Sequence, residues 1–83
     1  MNSSVAPEFW ARFNRLPPHV QAQARKQYAL WLQDHWHPSL HFKRVGPYWS
    51  VRVDHTHRAL GLERDGTILR FFIGRHDAYE GQI

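Results

Sequence analysis

Hydrophobic spacing changes its period once along this chain, and that change limits the fold more than any other feature. Up to about Asp34 the apolar residues recur at helical intervals; from Leu40 they alternate. Pro7 suits a first helical turn, and Phe9, Phe13 and Leu16 follow at i, i+4 and i+7. Pro17-Pro18 ends that segment and opens the next. Val20, Ala24, Tyr28, Trp31 and Leu32 then form one stripe, with Gln21, Arg25 and Lys26 facing away. Trp36-His37-Pro38 stops this second helix. Leu40, Phe42 and Val45 suggest a first strand, and Gly46-Pro47 a turn. Trp49, Val51 and Val53 alternate with Ser50 and Arg52 as a half-buried strand. A third strand runs from Arg58 to Glu63 and a fourth from Thr67 to Ile73. Asp65-Gly66 between them is a hairpin signal, because both central positions of that turn favour positive φ. Alternation puts Leu69, Phe71 and Ile73 on one face of the fourth strand, and Ile68, Arg70 and Phe72 on the other. Residues 2–6 read as a flexible arm, and the residues after the fourth strand as one helical turn. The expected class is α+β: two N-terminal helices packed on one face of a four-stranded antiparallel sheet. Residues 1–83 are expected to form one domain.

A chain of 83 residues needs a compact core, and five Phe with four Trp supply bulky volume for it. That argues against disorder. There is no cysteine, so disulfides and thiolate chemistry are excluded. The start, MNSSVAPEF, lacks a basic segment followed by an apolar one, so no signal peptide is expected. No apolar run approaches the roughly 18–20 residues that cross a membrane, and a cytoplasmic location is the default. The net charge is +4 and the pI about 10.1. Apart from Lys26 and Lys43 the cations are arginine, whose planar fork fits phosphate or carboxylate. A nucleic acid or an acidic protein segment is the matching partner, and a basic surface kept for solubility is the alternative.

Arg52, Arg58, Arg70 and Arg75 all come from the strand-forming half. A twisted sheet can bring such positions together around one phosphodiester. Each taken singly can instead lie on a solvated face or pair with Asp54, Glu63 or Asp65. His35 with His37, and His55 with His57, have a spacing that invites zinc or nickel, but neither pair has a third ligand nearby, and turn histidines are the simpler account. His76 follows the last strand between Arg75 and Asp77, with Tyr79 three residues on. Histidine exchanges protons near neutral pH. Cleaving RNA through its own 2′-hydroxyl needs a base, an acid and a cation on the phosphate; His76, Tyr79 and nearby arginines could divide those tasks. Alternatively, His76 and Asp77 simply start a last helical turn on which Tyr79 packs. Trp10, Trp31, Trp36 and Trp49 read as core rather than as base-stacking residues.

The segments FWARFNRLPPHVQAQARKQYALW, HPSLHFKRVG, YWSVRV, HRALG and FFIGRHDAYE, in this order and spacing, resemble the RelE/ParE toxins of type II toxin–antitoxin systems. The resemblance covers nearly the whole chain. It implies a small sheet whose concave face binds messenger RNA on the ribosome and cleaves it without metal or other cofactor. By that likeness Arg58 would stabilise the scissile phosphate and His76 would act as general acid. Arg52 and Tyr79 would support them. The implied partners are an acidic antitoxin, the ribosome and mRNA. A gyrase inhibitor, or a non-catalytic interaction module on the same fold, are the other functions the resemblance allows.

Overall fold

The alternating half of the chain folds as a meander, and the N-terminal segment completes its sheet. The computed structural model describes residues 1–79, with side chains through Asp77. The elements are β1 (Asn2–Val5), α1 (Pro7–Phe13), α2 (Pro18–Gln33), a 3-10 turn (Pro38–Leu40), β2 (Lys43–Val45), β3 (Tyr48–Arg52), β4 (His57–Arg64), β5 (Thr67–Arg75) and α3 (His76–Tyr79). The strand order is β1-β5-β4-β3-β2. The four later strands pair antiparallel, as expected, but β1 runs parallel to β5. The sheet is therefore five-stranded and mixed, and residues 2–5 are a strand rather than a flexible arm. Asn2 N–H donates to the Gly66 carbonyl at 2.9 Å and Ala6 N–H to that of Arg70 at 2.8 Å, so both ends of β1 are tied down. The hairpin between β4 and β5 forms at Asp65 and Gly66, both with positive φ. Leu40 lies in the 3-10 turn, so β2 starts later than its apolar residues suggest.

The ladder between β4 and β5 carries a bulge. Leu60 pairs with Phe72 while Gly61 pairs with Arg70, which leaves Phe71 unpaired. Simple alternation fails across that point. Ile68 and Arg70 share a face with Ala59 and Ile73, while Phe72 turns to the opposite face with Leu60 and Ser50. Gly61 is needed at the crossing, because a Cβ there would overlap Ile68 Cγ2.

Phe9 and Phe13 of α1 and Val20 and Ala24 of α2 pack with Val53, Ala59 and Ile73. A second cluster joins Trp31 to Leu40 and Ile68. A third, Leu60 and Phe72 with Val45, Tyr48 and Phe71, lies on the opposite face. Helix contacts are not confined to one side: the Arg12 guanidinium of α1 reaches to 4.6 Å from the Phe72 ring centroid. Trp31 is buried, but Trp10 and Trp36 are 40% and 61% exposed, so the core expectation fails for those two. No helix among the described residues is long and apolar enough to cross a membrane.

Candidate functional site

At the end of β3 and β4 the register sets two arginines side by side. Arg52 and Arg58 are direct cross-strand partners. Partners in a ladder share a face, and like charges in that position destabilise a sheet. The sheet nevertheless carries them, and among the described residues neither has a carboxylate in an ion pair. The Arg58 guanidinium makes a long polar contact of 3.5 Å to the hydroxyl of buried Ser50. Gly74 stands across from Arg58 on β5 and adds no side chain there.

These two arginines open into a concavity of about 460 Å³. Its wall is built from Arg52, Arg58, Arg75 and His76, together with His41, Asp54, His55, Thr56 and Asp77. Of the arginines expected to share an anion site, three line this one. Arg70 does not. The bulge turns it to the helix side, where its guanidinium lies 4.1 Å from the Tyr28 centroid and 5.1 Å from that of Phe9. Burial pulls Arg70 below the usual arginine range, an effect that Tyr28 opposes. Its Nε is buried with no hydrogen-bond partner among the described residues. Tyr79 closes α3, but its side chain lies outside the described residues.

The turn between β3 and β4 is organised by one carboxylate. Asp54 Oδ1 accepts from the backbone N–H of Thr56 at 2.9 Å and of His57 at 2.8 Å, and lies 3.0 Å from His57 Nδ1. Burial opposes ionisation of Asp54, but these bonds from Thr56 and His57, with the charge attraction of His57, hold its carboxyl below the usual carboxylate range. The braced turn fixes the Thr56 carbonyl, which accepts from the His76 backbone N–H at 2.7 Å. His76 is therefore docked to the turn as well as starting α3. Arg75 donates through Nε to Asp77 at 3.3 Å, with both side chains well exposed.

His41 and His55 were not legible as site residues. His41 caps the 3-10 turn in the left-handed region, at φ 45° and ψ 45°. Its Nε2 lies 3.2 Å from Arg52 Nη1, and His55 Nδ1 lies 2.7 Å from Arg52 Nη2. Nothing local in LHFKR announces that cap. His37 and His57 serve the backbone: His37 Nδ1 accepts from Ser39 N–H at 3.2 Å, and His57 belongs to the Asp54 brace. Among the described residues no three His, Asp or Glu side chains come together as a metal site would require. What the concavity offers instead is the guanidinium charge of Arg52 and Arg58 beside the His76 imidazole, an arrangement suited to a phosphodiester.

No protein-family model matches the chain, and no curated protein matches it by sequence. Solved structures do match. The RelB-RelE antitoxin-toxin complex from Methanococcus jannaschii aligns with a TM-score of 0.75 at 12% identity, over 96% of this chain and 98% of that one. The YoeB/ParE toxin from Agrobacterium tumefaciens aligns at 0.69 and 13% identity, over 92% and 99%. The intact E. coli RelBE toxin-antitoxin complex aligns at 0.64 and 10% identity, over 89% and 94%. The likeness to these structures is one of fold, at identities too low to carry residue roles. The chain has the fold of these RelE and YoeB/ParE toxin structures.

Proposed function

We propose that this protein is the toxin of a type II toxin–antitoxin pair, a RelE-like endoribonuclease that cleaves mRNA on the ribosome and stops translation. The observation that carries the reading is the Arg52–Arg58 pair, two arginines in direct register that have no ion-pair partner among the described residues, beside His76. A bound phosphodiester would relieve their repulsion. In the reaction the 2′-hydroxyl oxygen attacks the adjacent phosphorus and gives up its proton to a base. The bond to the 5′-oxygen breaks, and that oxygen takes a proton from His76. The products are a 2′,3′-cyclic phosphate and a 5′-hydroxyl. Arg58 holds the charge that grows on the phosphoryl oxygens, with Arg52 and Arg75 binding the strand and Tyr79 in support. Arg70 has no part, because its guanidinium is held between Tyr28 and Phe9. A small acidic antitoxin would restrain the toxin by covering the concavity.

The test is induced expression in a bacterial host, with growth followed and RNA 5′ ends mapped. Growth arrest with new 5′-hydroxyl ends inside translated codons is expected. Arg58→Ala and His76→Ala should each lower the cleavage rate about 100-fold or more. Arrest with intact messages would move the reading to gyrase. Normal growth and intact messages, from protein shown to be folded, would leave a non-catalytic binding module.

A further inference from the structure

Arg52 is held in an unusual way. Both of its terminal nitrogens point at imidazoles: Nη1 at His41 Nε2, 3.2 Å away, and Nη2 at His55 Nδ1, 2.7 Å away. An arginine stays protonated and can only donate, so each facing imidazole nitrogen must present a lone pair. This assigns the tautomers: the proton of His41 sits on Nδ1 and that of His55 on Nε2. Both rings are neutral while they hold Arg52. The arrangement is built from below. Gln27, a buried residue of α2, donates through Nε2 to the carbonyls of Ser39 at 3.3 Å and of Arg52 at 3.0 Å. One amide thus ties the turn that carries His41 to the strand that carries Arg52. The Asp54 brace fixes the turn that carries His55.

We infer that His41 and His55 make Arg52 a proton-linked phosphodiester subsite, in which the two imidazoles take up protons from solvent as an RNA phosphate binds. The inference rests on the RNA-binding reading of the concavity. Two neutral nitrogens are weaker partners for a guanidinium than two phosphoryl oxygens, which make charge-assisted, bidentate bonds. An entering phosphate therefore takes the fork of Arg52 and frees both lone pairs. In the empty site, a proton on either ring would face Arg52, with Arg58, Arg75 and His76 on the same wall. The nearby carboxylates do not offset this, since Asp54 is engaged by Thr56 and His57, and Asp77 by Arg75. A bound phosphate reverses the balance, because the imidazolium then donates to an anion. Proton and phosphate therefore bind cooperatively, and each proton taken up gives up to about a tenfold gain in affinity per pH unit.

The test measures binding of a 2′-O-methylated RNA trinucleotide, which cannot be cleaved by this chemistry and whose diesters do not titrate. The variants are His41→Gln and His55→Asn combined, which keep a neutral acceptor near each nitrogen. Wild-type protein should bind at least about tenfold more tightly at about pH 6 than at about pH 7.5. The double variant should keep only the smaller pH dependence that His76 contributes, several-fold less than that of wild type. At fixed pH, adding the RNA to wild-type protein should move the ring resonances of His41 and His55 towards the imidazolium position. Tight wild-type binding with no pH dependence, or equal pH dependence in the double variant, overturns the inference and leaves the RNA reading standing. Unmoved His41 and His55 resonances on saturation overturn it without relying on any variant. No RNA binding at either pH overturns both.

Discussion

Arg58 and Arg70 are both strand arginines of one small sheet, and their surroundings separate them. Arg58 stands beside Arg52 at the concavity; Arg70 is wedged between Phe9 and Tyr28 on the other face. Desolvation is a cost for Arg70 that the two rings return in part, at about 0.5–2 kcal/mol per cation–π contact. Its Nε, buried without a partner among the described residues, adds to the cost. Arg70→Met keeps the length and apolar contacts of the stem while removing the charge. Urea unfolding should place this variant within about 1 kcal/mol of wild type, because a buried charge replaced by an apolar side chain of similar volume is often neutral. RNA cleavage should stay within about twofold, against the roughly 100-fold loss expected for Arg58→Ala. A folded Arg70→Met protein that had lost cleavage would put Arg70 back into the site. The sequence grouped these arginines because each occupies a strand, and strand membership is legible from alternation. Which face each occupies was not, because an unpaired residue in LRFFI can sit at several positions without changing the apolar pattern.

Elements set by short-range chemistry were the legible ones. The Pro7 and Pro18 helix starts, the long stripe of α2 and the Asp65-Gly66 hairpin all follow from a few neighbouring residues. β1 is different. Asn2, Ser3 and Ser4 carry no strand signal, and the segment is extended because the edge of β5 offers it a parallel partner. The site shows the same division. Arg52 and Arg58 could be read as strand residues, whereas His41 and His55 reach Arg52 through a left-handed cap and an Asp54-centred turn. The element that joins these parts is α2, through Gln27. Gln27→Met fills similar volume but removes the donor shared by the Ser39 and Arg52 carbonyls. Leaving such buried acceptors unsatisfied costs about 1–3 kcal/mol, and urea unfolding should show a loss of that size. The same variant should weaken binding of the uncleavable trinucleotide while Val20→Ala, which thins the core near α1, lowers stability without a matching loss of affinity. Equal affinity losses at equal stability would mean that Gln27 acts on the fold alone.

Across the whole molecule the charge is +4 and its sources are mostly arginine, but their distribution matters more than the total. Arg44 pairs with Glu63 at 3.9 Å, Arg12 covers the Phe72 ring, Arg25 lies 4.8 Å from the Phe13 centroid, and Arg70 is enclosed by Phe9 and Tyr28. These arginines serve packing as much as charge. The cations left facing one concavity are Arg52, Arg58 and Arg75, so an RNA strand bound there should neutralise about three phosphates rather than many. Release of counterions from single-stranded RNA then gives a slope of log affinity against log salt of about −2, at roughly −0.7 per phosphate. Raising salt from about 50 to about 200 mM should weaken wild-type binding roughly 20-fold. Arg52→Ala, Arg58→Ala and Arg75→Ala should each make the slope shallower by about 0.7, because each removes one phosphate contact. Arg44→Ala and Arg70→Met should leave it unchanged, since neither side chain lines the concavity. A slope much steeper than −2, or one that responds equally to all five substitutions, would mean that RNA is held by the basic surface at large. The concavity would then lose its claim to be the binding site, and its arginine pair would need an acidic protein partner to explain it.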